Sequence, residues 1–254
     1  MSLNLTRFCC SSCIASLHVK HLTFESEISC NSRNRVFIAF RRSSRYVLKQ
    51  VPHSSSEHTI LKVLDHPNII SLVDSYIEGR YRILVFPHVN HLVLPFKFSL
   101  SRIKDISLQL LYALDYLHNK GITHNDVCLN NILISNDFHV TIIDFECATT
   151  YPIITPSFTT PSYLPPEACI QEQIDGRKAD VWSLGVCLFQ LSFGHYPFEE
   201  YSLSGLVGSI AKGDVKYPDY ASPSLVDFLR KMLTKNHRER SCIRQLLRHE
   251  FVNG

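Results

Sequence analysis

The chain has 254 residues, 45% of them hydrophobic and 19% charged, with a formal net charge of +3. That composition supports a sizeable core and excludes a disordered chain. The charge is too small to argue for nucleic-acid or membrane-surface binding, and no apolar run reaches the ~18 residues of a spanning helix. The nine cysteines are an odd number and mostly scattered. This fits a reduced intracellular chain, cytoplasmic or nuclear, rather than a disulfide scaffold.

Residues 1–21 read as a loose, partly apolar leader. Cys9, Cys10 and Cys13 offer lipidation, or metal binding with His18 and His21. The step from Cys13 to His18 is far shorter than zinc-finger spacing. No clean apolar stretch precedes a small-residue cleavage site, which argues against a secretory signal. From residue 22, "HLTF", "RVFIAF" and "RYVLKQV" are β-type segments separated by the polar turns "CNSRN" and "RRSS". A short helix is expected near 54–64. "NIISLVDSYI" and "RYRILVF" predict a hairpin around Glu78-Gly79-Arg80. Together these make a small first lobe of about five strands and one helix, over about residues 22–89. A boundary is expected in the polar and prolyl stretch near 87–98.

The rest, about 90–254, is mainly helical. "SLSRIKDISLQLLYALDYLHNKG" puts Ile103, Ile106, Leu110, Leu114 and Leu117 on one helical face. Ser99 or Ser101 can cap its start and Gly121 its end. Next comes "ITHNDVCLNNILI", in which polar residues interrupt apolar runs. Two short strands follow, "NILI" and "HVTIIDF", turning at Asn136-Asp137. Asp126 and Asn131 therefore fall in a loop, and Asp144 ends a strand. A loop can present such side chains without burying its backbone. Two carboxylates and an amide suit Mg²⁺, a hard cation that takes oxygen ligands and phosphates. An aspartate outside the metal shell can orient or deprotonate a hydroxyl.

Over residues 22–254 these motifs resemble the eukaryotic protein kinases. The family's H-R-D-L-x-x-x-x-N loop stands here as His124-Asn125-Asp126-Val127-Cys128-Leu129-Asn130-Asn131. D-F-G appears as Asp144-Phe145-Glu146, the lysine of V-A-I-K as Val47-Leu48-Lys49, and A-P-E as Pro165-Pro166-Glu167. "DVWSLGV" resembles the buried helix beneath the catalytic loop. "HRERSCIRQLLRHEF" resembles the final helical region, with Arg240 pairing Glu167. The resemblance implies an α+β, bilobal kinase-like fold with a β-rich N-lobe and a larger, mainly helical C-lobe. It implies ATP and Mg²⁺ as cofactors and a protein substrate. It allows an activating subunit and implies neither direct nucleic-acid nor membrane binding.

Roles follow from the same resemblance. Lys49 holds the α- and β-phosphates and pairs with Glu57. Ser29, Val36, Val47, Val89 and Leu133 line the nucleotide. Asn131 and Asp144 hold Mg²⁺, and Asp126 takes the acceptor hydroxyl's proton. "TTPSYLPPE" resembles the serine/threonine form of its segment, with Thr160 touching the catalytic loop. "VFPHVNH", "HNDV" and "GHYPF" are similar to the cell-division-control kinases of replication initiation.

The sequence also departs from the pattern. The three glycine positions of the nucleotide lid are Ser29, Asn31 and Asn34. Glu57 lies only eight residues after Lys49, so its helix is about two turns short; Ser54-x-x-Glu57 also reads as a capping box. Asn125 replaces an arginine, Cys128 a lysine and Glu146 a glycine. Losing cations and gaining an anion near phosphates costs on the order of 2–4 kcal/mol each if unrelieved. The segment after Asp144 is expected to order by packing Tyr151, Ile153, Ile154 and Phe158. The leading reading is a protein serine/threonine kinase. A pseudokinase scaffold and a small-molecule kinase are the alternatives, and the match through "PPE" and Arg240 argues against the latter.

Overall fold

The computed structural model describes residues 22–30, 34–92, 97–156, 160–170 and 173–254. The leader cysteines, Asn31 and Phe158 lie outside these residues. The fold is α+β, and the chain divides into two compact units. The first runs up to Ser55 and takes Leu72–His88; the second takes Ser56–Ser71 and Val89–Gly254.

The first unit is an antiparallel five-stranded sheet in the order β1-β2-β3-β5-β4. Its strands are β1 (Thr23–Cys30), β2 (Arg35–Arg41), β3 (Ser44–Pro52), β4 (Asp74–Glu78) and β5 (Tyr81–Pro87). The expected hairpin is present, and Gly79 takes the positive φ of its turn (58°). Phe37 faces Leu48, which faces Val85. With Ala39 and Ile83 these residues form a buried core cluster on one side of the sheet. Because side chains alternate, the opposite side carries the row Ser29–Val36–Lys49–Leu84 and, beside it, Ile38–Val47–Phe86. Ser29, Val36, Val47 and Lys49 thus share one sheet face.

The run "NIISLVDSYI" is not one strand. Its first part joins the second unit, where Ile69 bridges Ile142; its last part forms β4. Helix α1 spans only Glu57–Leu61, shorter than the expected 54–64. Its N-cap is Ser56, which makes no side-chain capping bond, so the Ser54–Glu57 box does not form. Ser54 is taken up in the turn closed by Ser55 N–H to Pro52 O.

The second unit is built on α2 (Leu100–Asn119) and α3 (Gly176–Phe193), with α4 (Leu203–Lys212), α5 (Pro223–Met232), α6 (Ile243–Leu246) and α7 (Glu250–Asn253) around them. Ser99 caps α2 by accepting from Arg102 N–H at 3.4 Å. The apolar stripe read from the sequence is the buried stripe: Ile103, Ile106, Leu110, Leu114 and Leu117. Helix α3 is buried almost all round, and Asp175 caps it through the amides of Arg177 and Lys178. Hairpin β6 (Ile132–Ile134) and β7 (Val140–Ile142) follows the loop that carries Asp126 and Asn131, and β8 (Ile153–Ile154) pairs with β9 (Ile174–Asp175). No helix among the described residues is long and apolar enough to cross a membrane.

Arg240 and Glu167 meet as a bidentate pair at 2.8 and 2.7 Å, with exposures of only 1% and 3%. The guanidinium also donates to Lys178 O and Thr234 O and lies over the Trp182 ring. The desolvated cation is therefore well supplied with acceptors. Removing either partner strands a buried charge, at about 3–5 kcal/mol. Glu167→Ala and Arg240→Ala should each lower the urea midpoint by a corresponding amount. An unchanged midpoint in both would show that the pair contributes nothing.

Candidate active site

The loop after α2 is placed by a carboxylate beneath it. Asp180, on α3 and 1% exposed, accepts from His124 N–H (3.0 Å), Asn125 N–H (2.8 Å) and His118 Nε2 (2.9 Å). Asn125 has φ +63°, a region that asparagine tolerates better than most residues. His124 is fully buried. Its Nδ1 accepts from Asp126 N–H at 3.3 Å, and its Nε2 lies 3.1 Å from Ile143 O. In these contacts Nδ1 serves as acceptor and Nε2 faces a carbonyl oxygen. Phe145, also fully buried, packs edge-on to that ring at 4.8 Å.

Asp126 therefore stands on a fixed backbone, and its side chain is fixed as well. Thr160 Oγ1 donates to Oδ1 at 2.6 Å and Asn131 Nδ2 donates to Oδ2 at 3.0 Å. The expected contact of Thr160 with the catalytic loop is present. Asn131 Nδ2 also donates to Asp126 O at 2.9 Å. Its amide nitrogen is thus committed, which leaves its oxygen as the group that can meet a cation. Ile143 N–H donates to Asn131 O at 2.9 Å, so Asp144 follows directly on a residue tied to Asn131. Asp144 itself has φ +63°, which costs on the order of 1–3 kcal/mol for a non-glycine residue. Among the described residues no group of three or more His, Cys, Asp or Glu gathers for a metal. One amide oxygen and one carboxylate instead suit an ion such as Mg²⁺, which draws its other ligands from water and phosphate.

The remaining candidates fall in several places. Lys49 is 7% exposed on β3. Leu133 lies mid-β6 opposite Thr141. Val89 is half-buried at the start of the second unit's main segment. Glu57, read as the partner of Lys49, has a role that the sequence did not announce: its Oε1 accepts from Phe145 N–H at 3.2 Å. His118 was missed as a loop support, and Asp180 was read only as the first residue of the helix beneath the loop, without its carboxylate's role. For Asp180 the signal was its place at the head of "DVWSLGV"; for His118 it was its place at the end of an apolar helix.

Two substitutions acquire a physical description. Asn125 Nδ2 donates to Cys147 O at 3.1 Å, an uncharged tie where the family pattern has an arginine. Cys128 is 1% exposed. Burial first, then the Asp126 carboxylate, pushes its thiol up to about 11, so it is neutral at physiological pH. Beside Asp126 lies a cavity of about 30 Å³ lined in part by Asn125, Thr160, Ile154, Leu164 and Ile174. The segment after Asp144 orders only in part as expected: Ile154 packs inward, but Tyr151 and Ile153 do not. Tyr151 and Ile153 are 73% and 53% exposed. Ordering comes from β8–β9 pairing, from Ile154 packing on Leu164, Ala168, Ile174 and Ala179, and from the bridge of Thr149 to Thr123.

A two-unit α+β chain with this loop and this ion pair is organised as a protein kinase domain. The family model for the protein kinase domain matches residues 29–252, and the chain belongs to the eukaryotic protein kinase superfamily. It is 32% identical over 215 residues to Serine/threonine-protein kinase 36 of Pongo abelii, covering 81% of this chain and 16% of that protein. Protein kinase 2 of Dictyostelium discoideum is 32% identical over 204 residues, covering 77% of this chain and 42% of the relative. The cAMP-dependent protein kinase catalytic subunit of the same organism is 32% identical over 202 residues, covering 76% and 31% respectively. The chain thus spans less than half the length of these curated relatives.

The raised Cys128 pKa has a defined sign. Folding raises it above the ordinary 9.0, so the unfolded chain loses its proton first. Its contribution to stability is fully present below about pH 9 and is lost as pH rises through about 11. Iodoacetamide at pH 8 should label the exposed Cys30 and Cys242 well before Cys128. Equal labelling rates would show that the loop is open.

Proposed function

We propose that the chain is an ATP- and Mg²⁺-dependent protein serine/threonine kinase. The observation that carries this reading is the Asp126 carboxylate, held between Thr160 and Asn131, with Asp144 one residue beyond the amide bonded to Asn131 O. In this reading Asp126 orients the acceptor hydroxyl and takes its proton. Asn131 and Asp144 hold the metal, which neutralises developing charge on the phosphates. Lys49 adds a point charge to the nucleotide's phosphates, and Ser29, Val36, Val47, Val89 and Leu133 line the nucleotide. Phosphoryl transfer needs positioning and charge neutralisation above all. The serine/threonine preference is supported by Thr160 and by the names of the relatives. A cell-cycle or signalling role, with protein substrates and an activating subunit as partners, belongs to the same proposal.

The second reading is a pseudokinase scaffold. It is favoured by Ser29 and Asn34 at lid positions where glycine would let the backbone approach phosphate, and by Glu146 next to Phe145. A γ-phosphate transfer assay on generic protein substrates decides between them. The kinase reading expects transfer that falls 10²- to 10⁴-fold in Asp126→Asn, the usual size of a general-base contribution. It also expects Asp144→Ala to abolish Mg²⁺-dependent nucleotide binding or transfer. Transfer at parental rate in Asp144→Ala would refute the metal assignment, and no transfer by the parent would leave the scaffold reading.

A neutral Asn125 cannot offer a phosphate the forked, charged contact of an arginine, and its amide is already tied to Cys147 O. Activity should therefore not depend on phosphate at Thr149, Thr150, Thr155, Ser157 or Thr159. Phosphatase treatment is expected to change the transfer rate by less than threefold. A tenfold fall, also seen when all five are replaced by Ala or Val in a folded chain, would reverse this conclusion.

A further inference from the structure

The second unit carries a polar cleft whose walls include none of the residues assigned above to nucleotide, metal or acceptor. Its volume is about 380 Å³, and it is walled by the last turns of α2, the first turns of α3 and the start of α6. Small-molecule sites occupy about 300–1,000 Å³, so the cleft can hold more than an ion. Val181 and Ile243 give it an apolar side, and the Cys242 thiol stands between that side and the charged groups of the lining.

Some of those charged groups are already occupied. Asp175 Oδ1 accepts from the amides of Arg177 (2.9 Å) and Lys178 (3.4 Å), so the first amides of α3 are taken. His118 is paired with Asp180, and Lys178 Nζ donates to Arg240 O. Asp115 accepts from Asn119 Nδ2 at 2.8 Å and faces Arg244 Nε at 3.8 Å. Arg244 Nη2 donates to Asn119 Oδ1, which anchors one edge of this guanidinium on α2. Its Nη1 remains. Among the described residues no acceptor meets the Arg177 side chain, which carries all five N–H donors of a guanidinium. Leaving His118 aside, the cations Arg177, Lys178 and Arg244 face the carboxylates Asp115 and Asp175. Charge and donors are both in excess, and both excesses reside in Arg177 and Arg244.

We propose that this cleft binds a phosphomonoester, with its phosphate held between Arg177 and Arg244. A phosphomonoester carries about −1.5 to −2 charges near neutral pH and three acceptor oxygens, enough to engage two guanidinium forks together. A carboxylate, with two oxygens, fills one fork. The contacts of Asp115 and Asn119 limit the freedom that Arg244 loses on binding. Val181 and Ile243 cover the carbon part of the ligand. The site does not depend on the kinase reading.

Cys242 is an exposed thiol in the same cleft, so an occupant shields it. The full chain is alkylated with iodoacetamide at pH 8, without nucleotide, and the labelling rates of Cys242 and Cys30 are read together by mass spectrometry. Cys30, exposed in the first unit, is the internal control. Glycerol phosphate and a phosphoserine peptide, each at millimolar concentration, are the probes. At least one should slow Cys242 threefold or more and leave Cys30 unchanged, whereas the unphosphorylated peptide and KCl of matched ionic strength should slow neither. The protection should disappear in Arg177→Gln and in Arg244→Gln. Both side chains are exposed, so both variants should melt with the parent; if Arg244→Gln melts earlier, Arg177→Gln decides alone. Stronger protection by the peptide assigns the phosphate to a protein side chain, and stronger protection by glycerol phosphate assigns it to a small molecule. No protection by either probe, equal slowing by KCl or by the unphosphorylated peptide, or protection that survives both substitutions overturns the site.

Discussion

The active-site loop depends on one buried carboxylate. Asp180 receives two consecutive loop amides and a histidine ring, all within 3.0 Å. A loop that turns through a positive φ cannot pair those amides in a ladder, and leaving them buried and unpaired would cost about 1–3 kcal/mol each. A charged acceptor binds them more strongly than a carbonyl would. Asp180 can do this because α3 passes close beneath the loop. Gly176 permits that approach: a Cβ there would lie 2.8 Å from Asn125 Oδ1 and 2.9 Å from Thr123 Oγ1. Asp175, one residue earlier, caps the same helix, so start, path and cargo of α3 are specified within six residues.

On that platform two of the departures from the kinase pattern act alike. Asn125 exchanges a cation for an internal tie to Cys147 O. Cys128 exchanges a cation for a buried neutral thiol whose neighbour Val127 packs against Cys187, with Sγ to Val127 O at 3.9 Å. Both changes move the loop toward neutral packing. Asp126 is held by Thr160 and Asn131, and Asp144 accepts from Glu146 N–H at 3.4 Å.

Local order was legible in the sequence, and remote order was not. Alternation gave the hairpin at Gly79, and 3.6-residue periodicity gave the buried stripe of α2, because each reports a face that the element itself buries. The spacing of Asp126, Asn131 and Asp144 placed them around one loop and one hairpin. α1 is shorter than expected because the amides of Val63 and Leu64 bond three residues back, to Ile60 O and Leu61 O, so the chain tightens after Leu61 instead of continuing the helix. "NIISLVDSYI" read as one strand because both of its ends are extended and apolar. Yet they are extended against different partners, Ile142 and β5. Tyr151 and Ile153 were expected inside because they are apolar, but two-residue β8 is held by its backbone pairing, which asks nothing of Ile153's side chain.

The sites of backbone strain and the buried acceptors correspond to one another. Among the described residues four non-glycine residues have positive φ: Arg42, Asn125, Phe138 and Asp144. Arg42 and Phe138 sit at hairpin turns, where the strands on either side hold the conformation. Asn125 and Asp144 lie where no ladder continues, and in each case a neighbouring amide is taken by a buried carboxylate from a helix remote in sequence: Asp180 for Asn125 itself, Glu57 for Phe145. Strain that persists must be over-determined by its surroundings, and a hairpin does this with short-range hydrogen bonds. The Asn125–Asp126 loop and the Asp144 turn do it with carboxylates more than fifty residues away. Polar residues that look out of place between apolar runs in "ITHNDVCLNNILI" are thus paired partly with one another, as Asn131 with Asp126, and partly by Asp180 and Thr160, which only the folded chain brings to them.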